Sequence, residues 1–133
     1  MKLYHACAID DLDSILSEGL RAGSYLTGNE GIADYYVETI EDEEKDACIL
    51  EIDLDDLIAA VGEAAIGVDR PSVAEPLCHT LGVTEGEVAD AWRKCAGTWR
   101  DSLEIVGSVQ VSVPIPPALL SRQTDDEVFI SSP

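Results

Sequence analysis

The strongest constraint on this chain is the way its hydrophobic period alternates over residues 1–54. Residues 2–6 read as a strand entering the core. Ile9, Leu12, Ile15, Leu16 and Leu20 then recur at helical spacing. Asp10 or Asp11 is available to cap that helix, and Gly19 and Gly23 bracket its end and the following turn. Residues 24–27 read as a second short strand. Asn29 is placed to cap a second helix, which carries Ile32, Ala33, Tyr36, Val37 and Ile40. Residues 47–54 return to strand period, with Ile52 and Leu54 alternating with Glu51 and Asp53. Their apolar content predicts a central place in a sheet. This β-α-β-α-β order, followed by helices and then strands, points to α+β with a mixed sheet and not to a doubly wound parallel fold.

The second half is less regular. Residues 41–46 read as a solvated charged connection and 55–61 as a short helix. Gly62, Gly67, Pro71 and Pro76 predict an irregular excursion over 62–80. Thr84-Glu85-Gly86-Glu87 fits a capping box, opening a helix with Val88, Ala91, Trp92 and Cys95 on one face and Gly97 at its end. Residues 102–113 form the longest β-rich run, through Ile105, Val106, Val109, Val111 and Val113. Gly107 within it suggests a bulge or a close backbone approach. Pro114, Pro116 and Pro117 stop that run, residues 118–120 suit a single turn, and 127–130 suit a short edge strand. There is no internal repeat. The expected architecture is one α+β domain over residues 1–133, with a mixed, mainly antiparallel sheet and short helices.

Composition narrows the function. At 133 residues and 46% hydrophobic, the chain has enough apolar surface for one folded core. No apolar run approaches the roughly 18 residues that would span a bilayer. The opening residues reach Asp10-Asp11 too soon for a signal peptide, which leads us to expect a cytoplasmic protein with no membrane partner. Acidic residues number 27 against 8 basic ones, for a net charge of -19, and they are spread along the chain. Two readings fit this charge. One is halophilic adaptation, where screening removes the mutual repulsion of the carboxylates. The other is a nucleic-acid-like surface that binds a basic partner. Both disfavour direct binding to a nucleic-acid backbone at low salt. Cys7, Cys48, Cys78 and Cys95 contain no C-x-x-C pair. Cys48 and Cys95 sit in apolar patterns as small buried side chains, and the adjacent Cys78-His79 makes a poor ligand pair, so no metal site is expected.

Phosphate-loop, dinucleotide-fingerprint, nucleophile-elbow and zinc-protease motifs are all missing. His79 has no nucleophile in its sequence context. What remains is dispersed: His5 at the end of the first apolar run, Tyr25 on the second, and a later carboxylate. An imidazole and a phenol carried by consecutive elements suit a pocket for a flat, charged ligand. The plainer readings are that His5 is a satisfied core or surface histidine and that Tyr25 and Tyr36 are packing residues. Trp92 and Trp99 would then be core or cover for the sheet, and Arg100 with Asp101 a surface pair.

A framework runs through these residues. It comprises Leu3-Tyr4-His5, Ile15-Leu16-x-Glu18-Gly19-Leu20, Tyr25-Leu26-Thr27, Ala33-x-x-Tyr36, Ile49-Leu50-Glu51-Ile52-Asp53-Leu54 and Ile115-Pro116-Pro117. In order and spacing it resembles the ADP-ribosyltransferase-like superfamily, which includes the poly(ADP-ribose) polymerases, modifying bacterial toxins and the tRNA 2′-phosphotransferases. The resemblance covers residues 3–54 and, less closely, 102–120. It implies a split, mainly antiparallel sheet and NAD as substrate. In the polymerase-like branch the first motif is a histidine ending the first strand, matched by His5, which would bond the adenosine ribose and the nicotinamide amide. The second is a tyrosine opening the second strand, matched by Tyr25, which would stack on nicotinamide. Thr27 would line the same site and Tyr36 would form the opposite wall. The third is a glutamate on a later strand, with Glu104 the first candidate and Glu127 the second.

The chemistry explains the residue types. Breaking the nicotinamide–ribose bond leaves positive charge on the ribose, as in glycoside cleavage, and a carboxylate stabilises it. Family members follow the first histidine with Gly and then Thr or Ser, whereas this chain has Ala6 and Cys7. The implied activity is NAD-dependent transfer of ADP-ribose to a protein or nucleic-acid acceptor, of the toxin or virus–host conflict type. The alternatives are a non-catalytic acidic interaction protein or nucleic-acid mimic, and an RNA 2′-phosphotransferase. The last would need basic residues to hold phosphates, and the chain has five arginines.

Overall fold

A residue whose neighbours alternate between buried and exposed belongs to a half-covered strand, and the first strand shows why this sheet is covered on both sides. In β1 (Lys2–Ala8), Leu3 and Cys7 point to one face while Tyr4 and Ala6 point to the other, and all are buried. The computed structural model describes residues 1–68, 78, 82, 84–93 and 98–123. Its elements follow in order: β1, α1 (Ile9–Glu18), β2 (Ser24–Thr27), α2 (Glu30–Asp42), β3 (Ala47–Asp53), α3 (Leu54–Val61), β4 (Ile66–Val68), α4 (Glu85–Arg93), α5 (Trp99–Ile105), β5 (Ser108–Val111) and β6 (Ser121–Arg122). Single 3₁₀ turns lie at Glu63–Ala65 and Pro117–Leu119. The fold is α+β, with a six-stranded sheet in the order β4-β5-β2-β1-β3-β6. Every described ladder is antiparallel, so the parallel component of the expected mixed sheet does not occur among these residues.

One face of the sheet carries the main core. Leu3, Leu26, Leu50, Ile52, Val109 and Val111 pack there under Leu12 of α1, Leu57 of α3 and Trp99 of α5. On the other face Tyr4 and Ile49 pack against Ala33 and Val37 of α2. A third cluster lies beyond α2, where Ile32 and Tyr36 meet Val88 and Trp92 of α4 and Ile105 and Val106.

Pairing is uneven along this sheet. β1 and β3 pair over their whole length, from Lys2↔Asp53 to Ala8↔Ala47. β2 and β5 pair from Ser24↔Val111 to Thr27↔Ser108, and β4 extends that side through Ile66↔Val111 to Val68↔Val109. The two three-stranded halves meet between β1 and β2 through a single pair, Tyr4↔Thr27.

Several expectations are corrected. Neither Asp10 nor Asp11 caps α1; its N-cap is Ala8, without a side-chain bond, and the aspartates occupy the first turn, where they favour the helix dipole. Gly19 ends α1 at φ +87°, and a Cβ there would meet the Ile115 carbonyl oxygen at 2.0 Å, so the bridge Leu20↔Ile115 requires glycine. α2 runs through Asp42 and absorbs the start of the charged connection. The largest correction concerns residues 102–113. Their first part is helical, because the Thr98 hydroxyl accepts from the Asp101 amide and Trp99, Ser102, Leu103 and Val106 share a helical face. Gly107 at φ +85° ends this helix, and only Ser108–Val111 is strand. Arg100 lies over the Trp99 ring at 4.3 Å and reaches Glu63 at 3.2 Å; Asp101 bonds Thr98 instead. β4 and β6 lie where no strand was expected. His79, Cys95, Gly97, Pro71, Pro76 and the anticipated strand at 127–130 lie outside the described residues. Among the described residues no helix is long and apolar enough to cross a membrane.

Candidate functional site

The single pair between β1 and β2 determines where side chains must do the work of a ladder. Beyond Tyr4↔Thr27 the next group of β1 is His5, and its Nδ1–H donates to the Tyr25 carbonyl oxygen at 2.8 Å. A carbonyl only accepts, so the imidazole keeps its proton on Nδ1 and leaves Nε2 as an acceptor. Burial pushes the His5 pKa below its ordinary value, and the bond to the Tyr25 carbonyl opposes that shift only in part. His5 is therefore a neutral imidazole near pH 7.

Rings continue from there. The His5 and Tyr25 centroids are 5.0 Å apart, and those of Tyr25 and Tyr36 are 4.9 Å apart, each pair tilted at 46°. Tyr35 meets Tyr36 edge-on at 5.9 Å. These are favourable aromatic spacings. Helix α2 delivers Tyr36 because its start is fixed. Asn29 Oδ1 accepts from the Gly31 amide at 2.8 Å, and the Tyr4 hydroxyl donates to Glu30 Oε1 at 2.9 Å. Burial, and then the Glu30 carboxylate, push the Tyr4 phenol up to about 12. Ala33, with no exposed surface, seats the next turn against Tyr4 and Ile49. Tyr36 stands one turn beyond Ala33.

The structure thus brings together His5, Tyr25 and Tyr36, three of the residues singled out from sequence. Thr27 behaves differently. It has no exposed surface; its hydroxyl donates to the Gly107 carbonyl at 2.6 Å and accepts from the Asn29 amide at 3.1 Å. It ties β2 to α2 and to the α5–β5 turn, and offers nothing to a ligand. Glu104 is exposed on α5, not on a strand, and lies on the side of that helix away from Trp99, Ser102 and Val106. The structure does not join it to the ring cluster. Glu127 lies outside the described residues. Ala6 and Cys7, where the resembled family has Gly and a hydroxyl residue, are buried; the Cys7 sulfur faces Cys48 at 3.5 Å.

No protein-family model, curated protein or solved structure matches this chain. A flat ring held between Tyr25 and Tyr36 needs about 7–8 Å between them, two van der Waals contacts of roughly 3.5–4 Å each. At 4.9 Å the pair is closed on itself, so such a ligand must displace Tyr36 while Tyr25 stays bonded through its carbonyl to His5.

Two features escaped sequence reasoning. A cavity of about 550 Å³ lies beyond α1, lined by Asp11, Glu18, Arg21, Ser24 and Pro114 among others, and none of the three clustered rings lines it. The second is Gln110, which stands directly opposite Tyr25 on β5. Its place follows only from the register of β2 and β5. The Thr98-x-x-Asp101 cap is the local signal that separates helix from strand; the register of β2 and β5 has no local signal.

Proposed function

We propose that this chain is a small ADP-ribosyltransferase-like domain whose ligand is NAD, with the nicotinamide end at Tyr25 and Tyr36 and a ribose hydroxyl donating to His5 Nε2. The observation that carries the reading is the meeting of His5, Tyr25 and Tyr36 where the two halves of the sheet share one pair. This agrees with the split sheet, and with the order of histidine and tyrosine strands, that the resemblance implies. A neutral imidazole suits the role, since it accepts from a hydroxyl without placing a second cation beside the pyridinium. The tyrosine ring supplies an electron-rich face to that cation. The reaction in view is transfer of ADP-ribose to a macromolecular acceptor.

Incubation with NAD tests this. Ligand-induced stabilisation, weakened in Tyr25→Ala and His5→Ala, is the expected result, with nicotinamide release as the measure of turnover. No stabilisation at any salt concentration between 0.1 and 3 M, a range of roughly 10 to below 3 Å in screening length, would remove the proposal.

The acidic interaction reading keeps one supporting observation. Glu30, Asp34, Glu38 and Glu41 are exposed on successive turns of α2, and like charges at this spacing oppose the helix. Binding to a basic protein that collapses with moderate salt and ignores His5→Ala would favour it. The phosphotransferase reading is weaker, because Arg93 and Arg100 are engaged by Asp90 and Glu63.

A further inference from the structure

The row of the sheet that holds Tyr25 has a further member. β5 lies between β4 and β2, and its Gln110 is paired with Tyr25 on one side and Gly67 on the other. Directly paired residues share a face, with Cβ atoms about 4.5–5.5 Å apart. Gln110 is therefore the position on β5 from which a side chain can reach what Tyr25 holds, as His5 does from β1. Val109 and Val111, on the opposite face, have no exposed surface, so no other residue of β5 shares this placing except Ser108, which pairs with the buried Thr27. The space around residue 110 is open: the residue is exposed, and Gly67 contributes no side chain.

We propose that Gln110 occupies the place of the reaction's carboxylate, so that the site binds NAD but cleaves its nicotinamide–ribose bond slowly. This rests on the NAD reading above. In cleavage the C1′–N bond breaks and its electron pair goes to the nicotinamide nitrogen, neutralising the pyridinium. The ribose carbon is left cationic until an acceptor oxygen or nitrogen attacks it and loses a proton. A carboxylate opposite that carbon offers a full negative charge, and a carboxamide offers only a dipole. Gln110 is also held aside, its Nε2 donating to the Gly23 carbonyl at 3.0 Å. A glutamate there cannot donate to that carbonyl. It would be repelled from Gly23 and released toward the open side of the row.

The experiment is nicotinamide release and NAD affinity, measured by calorimetry, for wild type, Gln110→Glu, Gln110→Ala and Glu127→Gln. The expected result is NAD binding within a few-fold across the set, with release raised about 10²–10³-fold in Gln110→Glu alone. NAD binding by every protein with no rise in Gln110→Glu overturns this proposal and leaves the NAD reading intact. Loss of wild-type release in Glu127→Gln overturns it as well, since the carboxylate would then come from elsewhere. Absence of NAD binding in all four, with unchanged far-ultraviolet circular dichroism, overturns both.

Discussion

β1 is held in different ways by its two neighbours. Against β3 it is paired along its full length, and Leu3, Cys7, Leu50 and Ile52 are buried across that ladder. Against β2 it has the single pair Tyr4↔Thr27, and beyond it the link is a side chain, His5, bonded to a backbone carbonyl. The paired region is maintained by repetition of backbone bonds, with side chains free to pack. The open region is maintained by specific side chains, and these are the ones with polar, ligand-competent atoms. A ladder that stops early thus makes the side chains at the gap answerable for the junction.

The largest effect should come from the paired side. Leu50→Ala, at a position with 1% exposure, is expected to cost about 2–5 kcal/mol in urea unfolding. A loss under about 1 kcal/mol would mean that this ladder is not the stable half.

At the junction Thr27→Val should cost about 1–3 kcal/mol. It strands the Asn29 amide and removes one of two donors, the other being the Gly28 amide, from the Gly107 carbonyl. A neutral result would remove Thr27 as the tie between β2, α2 and the α5–β5 turn.

A double-mutant cycle on Tyr25→Leu and Tyr36→Leu should give a coupling of about 0.5–1.5 kcal/mol without ligand. That coupling should vanish with saturating NAD if the ligand displaces Tyr36, and its persistence would argue that the rings stay closed.

The smallest signal is the pH dependence of His5. Its folded pKa is lowered, so above the ordinary value of 6.5 neither state carries the proton. As pH falls below 6.5 the unfolded chain takes up a proton before the folded one, and stability declines until the lower folded value is passed. The difference in stability between wild type and His5→Gln should therefore change over this window and be flat above it. A difference flat at all pH values would mean that the imidazole is solvated.

Where short-range signals act, the chain is legible from its residues. The Asn29 cap, the Thr84 cap and the strand 24–27 all form where local chemistry puts them, since each depends on groups a few residues apart. Residues 102–105 depart from the sequence expectation because Ile105, Val106 and the later valines suit a strand by propensity, while the Thr98 cap and the burial of Trp99 and Ser102 favour a helix; packing prevails over propensity. Glu104 moves with them from strand to helix. In the candidate site, His5, Tyr25 and Tyr36 were visible as residue types at particular places, but Gln110 was not, because its significance comes only from the register of β2 and β5.

By itself the sequence determined the alternation of strand and helix over residues 1–54 and the caps at Asn29 and Thr84. Periodicity and capping are local, and they are written in neighbouring residues. Only the tertiary structure decided that β1 and β2 share one pair, that an imidazole spans their gap, and that a carboxamide lies opposite Tyr25. Those outcomes depend on pairings between residues 20 to 85 positions apart, and a one-residue slip in any of them would turn the same side chains to the other face of the sheet.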